Sequence, residues 1–262
     1  MPVKIAVIGF KHSGKTTIVK ELCELLTEKG YRPIPIKHIA HSEFSIDSQN
    51  TDTYTLRKAS GVVSFYADSK DAGLILNIES PESYIEFIEK IAKTLDYNVL
   101  IFEGFRKIFS KDTDVLKIIC LREIGELTYF EDIEGPYIVC TFSEINDRRI
   151  LKLPKDFDTL KSLVVRYVEI SLIFEKLPKL NCGKCIAGSC RRLAELIYRG
   201  VAKFEDCRVV GSGDVKLRVN DTDIPLNEFV RTLIKNVILG IVRSLKGVPE
   251  DVRSVSLSIR FA

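Results

Sequence analysis

The residues best suited to chemistry lie in a short segment near the start of the chain. Gly9–Thr16 reads GFKHSGKT and matches the phosphate-loop pattern G-x-x-x-x-G-K-[ST], between an apolar run and a helical pattern. Backbone N–H groups in such a loop point at phosphate oxygens, and the helix adds its positive dipole end. Lys15 is expected to neutralise the β- and γ-phosphates, and the Thr16 hydroxyl to ligate Mg²⁺. The predicted phosphate-contacting residues are Gly9, Lys11, His12, Ser13, Gly14, Lys15, Thr16 and Thr17.

An acidic residue ends a later apolar run. Glu103 directly follows the apolar residues 99–102, and phosphate-loop proteins use an acid at such a strand end to hold the metal's water shell. Glu103 is therefore predicted to act with Lys15 and Thr16 in catalysis, and to hold Mg²⁺ together with Thr16. Asp47 and Asp52 are alternatives for the same role.

A basic pair follows the second predicted strand. Lys37 and His38 come directly after Ile34–Ile36, and the carboxyl ends of parallel strands line one crevice. We therefore expect Lys37 and His38 to face the phosphates. Asp47 completes the set of residues that we predict to bind the nucleotide.

A second constellation consists of four cysteines in a short stretch. Their spacing allows one small metal centre to be held by a tight loop and one returning thiolate. Iron–sulfur and zinc centres are both open from the spacing, although structural zinc sites usually carry a second C-x₂-C pair, which is missing here. The predicted metal ligands are Cys182, Cys185, Cys190 and Cys207. The remaining cysteines, which we expect to be buried apolar side chains, are Cys23, Cys120 and Cys140.

These residues require elements that position them. Short apolar runs alternate with helical patterns through the first part of the chain, which predicts an α/β fold with a mainly parallel sheet. The strands begin with Val3–Ile8, and the helix after the loop covers residues 15–28. Residues 40–60 show little periodicity and are interpreted mostly as loop.

The domain boundaries follow from one long helical pattern. We predict a phosphate-loop NTPase domain at residues 1–154, a linking helix at 155–178, and a small α+β four-cysteine metal-cluster domain at 179–262. The last of these is expected to end in a strand–helix–strand unit at residues 215–219, 226–245 and 255–261.

Composition excludes several classes of protein. The chain has 262 residues with 45% hydrophobic and 29% charged side chains, which is ordinary globular composition. A net charge of +3 without a basic run gives no support for a nucleic-acid partner. With no signal-peptide pattern and no apolar stretch long enough for a bilayer, we expect a cytoplasmic protein that does not enter membranes.

The first domain resembles the molybdopterin-guanine dinucleotide biosynthesis protein B (MobB) family. The resemblance covers about the first 150 residues, and the segments that carry it are Gly9–Thr17, Ile36–His38 with His41, Phe44–Asp47, Asp52–Gly61 and Glu103–Phe105. It implies a GTP-binding protein with weak GTPase activity that assists attachment of GMP to molybdopterin. It also implies a guanylyltransferase partner that performs the transfer, and a homodimer.

The cysteine stretch is similar to a small iron–sulfur domain of electron-transfer and corrinoid proteins, on the residues Cys-Gly-x-Cys and Cys-Arg-x-Leu-Ala-Glu. That similarity implies a [4Fe–4S] cluster. Two other functions stay open: an ATP-dependent carrier or electron-transfer protein that works through the cluster, and a small-molecule kinase. The kinase would need an arginine-rich lid, which the sequence does not show.

Overall fold

The computed structural model describes residues 1–39, 51–60, 63–67, 69–70, 72–76, 81–211, 215–220, 222–224, 226, 228–249 and 251–259. The chain divides into two compact units, Met1–Val168 and Glu169–Ala262. The division falls inside the helix Phe157–Glu175.

The first unit alternates strands and helices as the sequence predicts. Its elements are β1 (Val3–Gly9), α1 (Lys15–Glu28), β2 (Pro33–Lys37), α2 (Asp52–Ser60), β3 (Val63–Ala67), β4 (Ala72–Leu76), α3 (Pro81–Thr94), β5 (Val99–Glu103), α4 (Arg106–Phe109), β6 (Leu116–Leu121), a 3₁₀ helix (Ile124–Phe130), β7 (Tyr137–Thr141), β8 (Leu151–Lys152) and α5 (Phe157–Glu175), which runs into the second unit.

The main sheet is parallel, with strand order β2-β5-β1-β6-β7-β8. The register places Lys37 of β2 opposite Glu103 of β5, and Val7 of β1 opposite the same Glu103. The segments that follow these three parallel strands therefore leave the sheet on the same side, at the carboxyl ends of the strands. The strands β3 and β4 form a separate antiparallel hairpin.

The core of this unit is the middle of the sheet. All side chains of β6 are buried, as are the first four of β5. Strands buried on both faces read as continuous apolar runs, and for that reason the sequence reveals them well. Phe102 has no exposed surface, and its ring packs 4.7 Å from that of Phe109.

One prediction in the first unit is wrong. The segment interpreted as loop contains the helix α2 at Asp52–Ser60, while residues 40–50 lie outside the described part. The backbone N–H of Tyr54 donates to the Thr51 hydroxyl at 3.3 Å, so Thr51 caps the helix. The cap is a single-residue signal that a search for apolar periodicity does not register.

The second unit is small, and its longest elements are helices. Besides the end of α5, its elements are α6 (Cys190–Tyr198), a 3₁₀ helix (Phe204–Asp206), α7 (Arg208–Gly211), β9 (Leu217–Val219), β10 (Thr222–Ile224) and α8 (Glu228–Ser244). The predicted final strand is wrong over residues 255–259, which belong to no helix or strand. A strand needs a neighbour for its backbone hydrogen bonds; the short strands here pair with each other as the hairpin β9–β10.

The length and polarity of the helices bear on whether one of them could span a bilayer. The helix α5 has 19 residues and carries several charged side chains. Within the described ranges, no helix combines the length and the apolar composition needed to cross a membrane.

Candidate functional site

The phosphate-loop segment connects β1 to α1 through a tight turn that depends on two glycines. A Cβ at Gly9 would lie 2.4 Å from the carbonyl oxygen of Cys120, and a Cβ at Gly14 would lie 2.3 Å from the Phe142 ring. Gly14 also has a φ of 87°, which favours glycine. The loop therefore passes close to the ends of β6 and β7, and only glycine fits at these two positions.

The first turn of α1 has backbone N–H groups that no side chain caps. Its N-cap residue is Gly14, which makes no side-chain cap, and the turn contains no acidic residue. The first backbone N–H groups of a helix have no partner within the helix and attract anions. In the described part of the chain, the buried Ser13 hydroxyl also lacks a hydrogen-bond partner. Donors without acceptors at one point indicate an anion site.

The predicted phosphate lysine lies inside this turn. The Lys15 ammonium donates to the Phe10 carbonyl oxygen at 2.5 Å, across the mouth of the loop. Burial lowers the pKa of Lys15, an effect that the Glu103 carboxylate partly offsets. An ammonium held against a carbonyl in a partly desolvated turn gains more from an anion than a solvated lysine does.

Three further predicted residues come together at the strand ends. The Thr16 hydroxyl donates to Glu103 Oε1 at 2.9 Å, and the Lys37 ammonium lies 3.2 Å from the same oxygen. The Lys37 ammonium is also 3.5 Å from the Thr16 hydroxyl oxygen. The register between β2 and β5 explains this cluster, because it places Lys37 and Glu103 side by side.

The other predicted residues of this site are placed as follows. Lys11, His12 and Thr17 are exposed on the loop or the first turn of α1. His38 follows Lys37, and its ring lies 5.0 Å from the Phe105 ring. Asp47 lies outside the described residues, as do His41 and the segment 44–46 of the family resemblance. Asp52 stands in the first turn of α2.

Two residues of this region are absent from the sequence-based predictions. Arg122 follows β6, lies 5.2 Å from the Phe10 ring centre, and donates to Glu126 Oε1 at 2.5 Å. Phe142 follows β7 and packs against Gly14. Both line a cavity of about 130 Å³ together with His12, Ser13, Gly14, Thr17, Leu121 and Ser143. Both residues directly follow apolar runs, and this position at a strand end is the sequence signal that could have identified them.

The four predicted metal ligands lie in the second unit around one small pocket, which is lined by Cys182, Cys185, Cys190 and Cys207 with Pro178, Leu180, Gly183, Ser189, Arg208 and Val209. Cys190 and Cys207 are buried, Cys185 is half-buried and Cys182 is exposed. Within the described residues, no three His, Cys, Asp or Glu side chains are close enough together to hold one metal ion. The structure thus brings the four thiols to one pocket, but not within the distances at which they could bind a single metal ion.

The buried end of this pocket is well ordered by hydrogen bonds. The Ser189 hydroxyl accepts from the Arg192 backbone N–H and caps α6, which begins at Cys190. The Asn181 side-chain oxygen accepts from the Cys190 backbone N–H at 2.9 Å. A thiolate at a helix N-terminus is stabilised by the helix dipole. The four thiols line this pocket together with the cationic Arg208. This set of side chains therefore fits a thiolate-bound metal centre.

The other cysteines differ in exposure. Cys120 and Cys140 are buried and lie opposite each other on β6 and β7, with their sulfur atoms 3.9 Å apart. The interaction with Cys140, followed by burial, raises the pKa of the Cys120 thiol. Cys23 is half-buried, and burial raises its pKa too.

The parallel sheet, the glycine-dependent turn and the helix that follows it define an α/β protein with the fold of the P-loop NTPases. Two family models match parts of the chain. Residues 4–131 match the model of the family "Molybdopterin guanine dinucleotide synthesis protein B" (MobB), and residues 177–209 match a model described as "Putative Fe-S cluster". The first unit therefore contains a MobB-family domain.

Similar proteins carry related names. A "Putative molybdopterin-guanine dinucleotide biosynthesis adapter protein" from Methanocaldococcus jannaschii is 28% identical over 93% of this chain and 92% of its own length. The adapter protein of that pathway from Escherichia coli is 28% identical over 63% of this chain and 93% of its own length. Among solved structures, Bacillus subtilis MobB aligns with 64% of this chain and 98% of its own, at 21% identity and a TM-score of 0.46.

Proposed function

We propose that this chain is an adapter protein of molybdopterin guanine dinucleotide synthesis, and that its first unit binds GTP with Mg²⁺ and hydrolyses it slowly. The observation that carries the nucleotide site is the cluster of Thr16, Glu103 and Lys37 beside the uncapped first turn of α1. The MobB-family domain and the names of the similar proteins support the pathway. The proposal includes molybdopterin and a guanylyltransferase as partners, a homodimer, and a cytoplasmic location.

Each residue of the cluster has a task in this proposal. The loop N–H groups and Lys15 hold the phosphates. Thr16 and Glu103 hold the magnesium ion, directly or through water, because their neighbouring oxygens are the donors that Mg²⁺ prefers. Magnesium neutralises charge that develops on the phosphates. Lys37, which pairs with Glu103 in this structure, supplies a second cation near the γ-phosphate.

Slow hydrolysis follows from what the neighbouring arginines do. Fast phosphate-loop GTPases use an arginine or a glutamine to stabilise the transition state or orient water. Here the Arg106 side chain donates to the Tyr129 carbonyl oxygen at 2.7 Å and pairs with Asp132. Arg122 pairs with Glu126. Both guanidinium groups are engaged with the protein. The proposal therefore assigns the chain nucleotide binding as its main role and only slow hydrolysis.

Titration with a fluorescent GTP analogue tests the nucleotide site. Lys15→Ala removes the ammonium from the loop and is expected to weaken binding by roughly 10- to 150-fold. Lys29→Ala is the matched control, because Lys29 is exposed at the other end of the same helix. Equal affinities of the two variants would refute the loop assignment. Tighter binding of ATP than of GTP would instead favour the ATP-dependent cluster carrier.

For the second unit the proposal assigns a [4Fe–4S] cluster to the four cysteines, with zinc as the rival. A cluster of this type supplies one-electron redox chemistry when bound. Anaerobic purification followed by iron, sulfide and zinc analysis decides between the two. Roughly four irons and four sulfides per chain support the cluster, whereas zinc alone would make the unit a structural site.

A further inference from the structure

A cavity of about 790 Å³ lies beside the phosphate loop, on the side away from the small cavity at Phe142. Gly9, Lys37 and Gly104 line its inner edge, at the ends of β1, β2 and β5. Its volume lies within the range typical of small-molecule sites. The two cavities have no lining residue in common. The larger one is lined by Gly9 and Phe10 of the loop and by Lys37, so a ligand in it lies directly against the proposed nucleotide site.

Several aromatic side chains line this cavity. The rings of Phe10 and Tyr129 lie 4.9 Å apart, and those of Tyr84 and Phe105 lie 5.7 Å apart. All four residues line the cavity. Tyr129 is 53% exposed, so that part of its ring is accessible. Aromatic side chains with accessible faces bind flat heterocycles by stacking.

The backbone is strained where it forms this wall. Phe105 is buried, yet its φ is 60°, a value that is uncommon for a bulky residue without a glycine's freedom. Its ring lies 5.0 Å from that of His38, which also lines the cavity. Such strain persists only where the surrounding structure enforces it, and it concentrates at ligand sites. The strained residue comes two positions after Glu103 of the nucleotide site.

Cationic side chains also line this cavity. Lys37, Arg106 and Lys107 line the cavity, and Lys107 is exposed. The Arg106 Nε atom is buried and, within the described residues, has no hydrogen-bond partner, although the Nη2 atom of the same group is bonded. The Arg106 guanidinium is already held by the Tyr129 carbonyl oxygen and by Asp132, so the exposed Lys107 is the better placed partner for a ligand. These residues match an anionic group on the ligand.

We propose that this cavity binds a pterin that carries a phosphate, with the fused ring against the aromatic side chains and the phosphate towards Lys107. The inference rests on the proposed function, which supplies the pterin, and adds the residues that bind it. The pterin then lies beside the Thr16–Glu103–Lys37 cluster. The adapter would thus hold the pterin and the guanine nucleotide next to each other.

The test uses the full-length protein and neopterin monophosphate, whose own fluorescence reports binding. Tyr129→Ala is expected to weaken this ligand about tenfold while leaving GTP affinity within about twofold. The matched control is Tyr137→Ala, because Tyr137 is 56% exposed and lies outside the cavity. Lys107→Glu should weaken the ligand about threefold at low salt and less at high salt, with Lys90→Glu as its control.

The outcomes separate this inference from the proposed function. Neopterin monophosphate that fails to bind to a protein that still binds GTP would overturn the inference alone. The inference also fails if Tyr129→Ala and Tyr137→Ala have equal effects, or if Lys15→Ala removes the pterin signal, since the ligand would then occupy the phosphate loop. GMP that binds at the Tyr129 site as tightly as the pterin would overturn the choice of ligand. A protein that binds no GTP refutes the nucleotide site whatever the pterin does.

Discussion

The two units of this chain bury their apolar side chains in different ways. In the first unit, Leu100, Ile101 and Phe102 of β5 have no exposed surface. In the second, one small cluster contains both Cys190 and Cys207, while α8 leaves Phe229 74% exposed. A large sheet core is expected to be stable without a ligand, whereas a small core that includes predicted metal ligands is expected to depend on the metal. We therefore expect only the second unit to couple its folding to a bound metal centre.

Removal of the metal should have the largest effect, and on one unit only. Chelation under anaerobic conditions is expected to abolish hydrogen-exchange protection over residues 177–209 and leave residues 99–121 protected. Cys185→Ser should have the same effect as chelation. Cys23→Ser is the control, since both thiols are half-buried. Unchanged protection of residues 177–209 after removal of the metal would show that the second unit folds by its own packing.

Truncation in the sheet core should have the next largest effect. Phe102→Ala is expected to lower the free energy of unfolding of the first unit by about 3–5 kcal/mol, because it leaves a cavity in a fully packed region. Phe229→Ala, in the exposed face of α8, is expected to change stability by less than about 0.5 kcal/mol. Urea denaturation of both variants gives the comparison. Similar costs would mean that α8 is buried in solution.

A smaller effect is expected at the phosphate loop. Gly14→Ala adds a Cβ 2.3 Å from the Phe142 ring at a φ of 87°, and should cost about 1–3 kcal/mol. Gly30→Ala is the matched control, since its φ is 82° and no atom lies within 4 Å of the added carbon. Thermal unfolding of the two variants separates the clash from the backbone strain. Adding Phe142→Ala to Gly14→Ala should recover the difference, and failure to do so would argue against the clash.

The smallest effect is the acid dependence of one surface pair. Hydrogen bonds from Arg149 lower the pKa of Asp147 from 3.8 to about 2. A carboxyl with a lowered pKa in the folded state stabilises the protein above pH 3.8, and this contribution is lost as the pH falls through about 2. Asp147→Asn should flatten that part of the stability profile of the first unit. An equally steep profile in Asp147→Asn and in the unmodified protein would contradict the stabilising role of this pair.

Much of the fold was predictable because buried parallel strands and amphipathic helices have strong patterns. The strands β1, β2 and β5 and the helices α1, α5 and α8 lie close to their predicted positions. The helix α2 was missed, because its signal is a single cap at Thr51 rather than a periodic face. The strand predicted at residues 255–261 was wrong over its described part, because alternation of side chains does not provide a partner strand.

The sequence by itself determined the phosphate loop, because a glycine-rich turn before a helix is local, and its residue types are dictated by backbone geometry and phosphate charge. It likewise determined the cysteine spacing. The sequence predicted one site for Thr16, Lys37 and Glu103, but only the tertiary structure decided their distances, since these depend on the register of three strands. It also decided that Arg106, Tyr129 and Phe10 enclose one cavity. Residues far apart in sequence are brought together by sheet order, which no local pattern encodes.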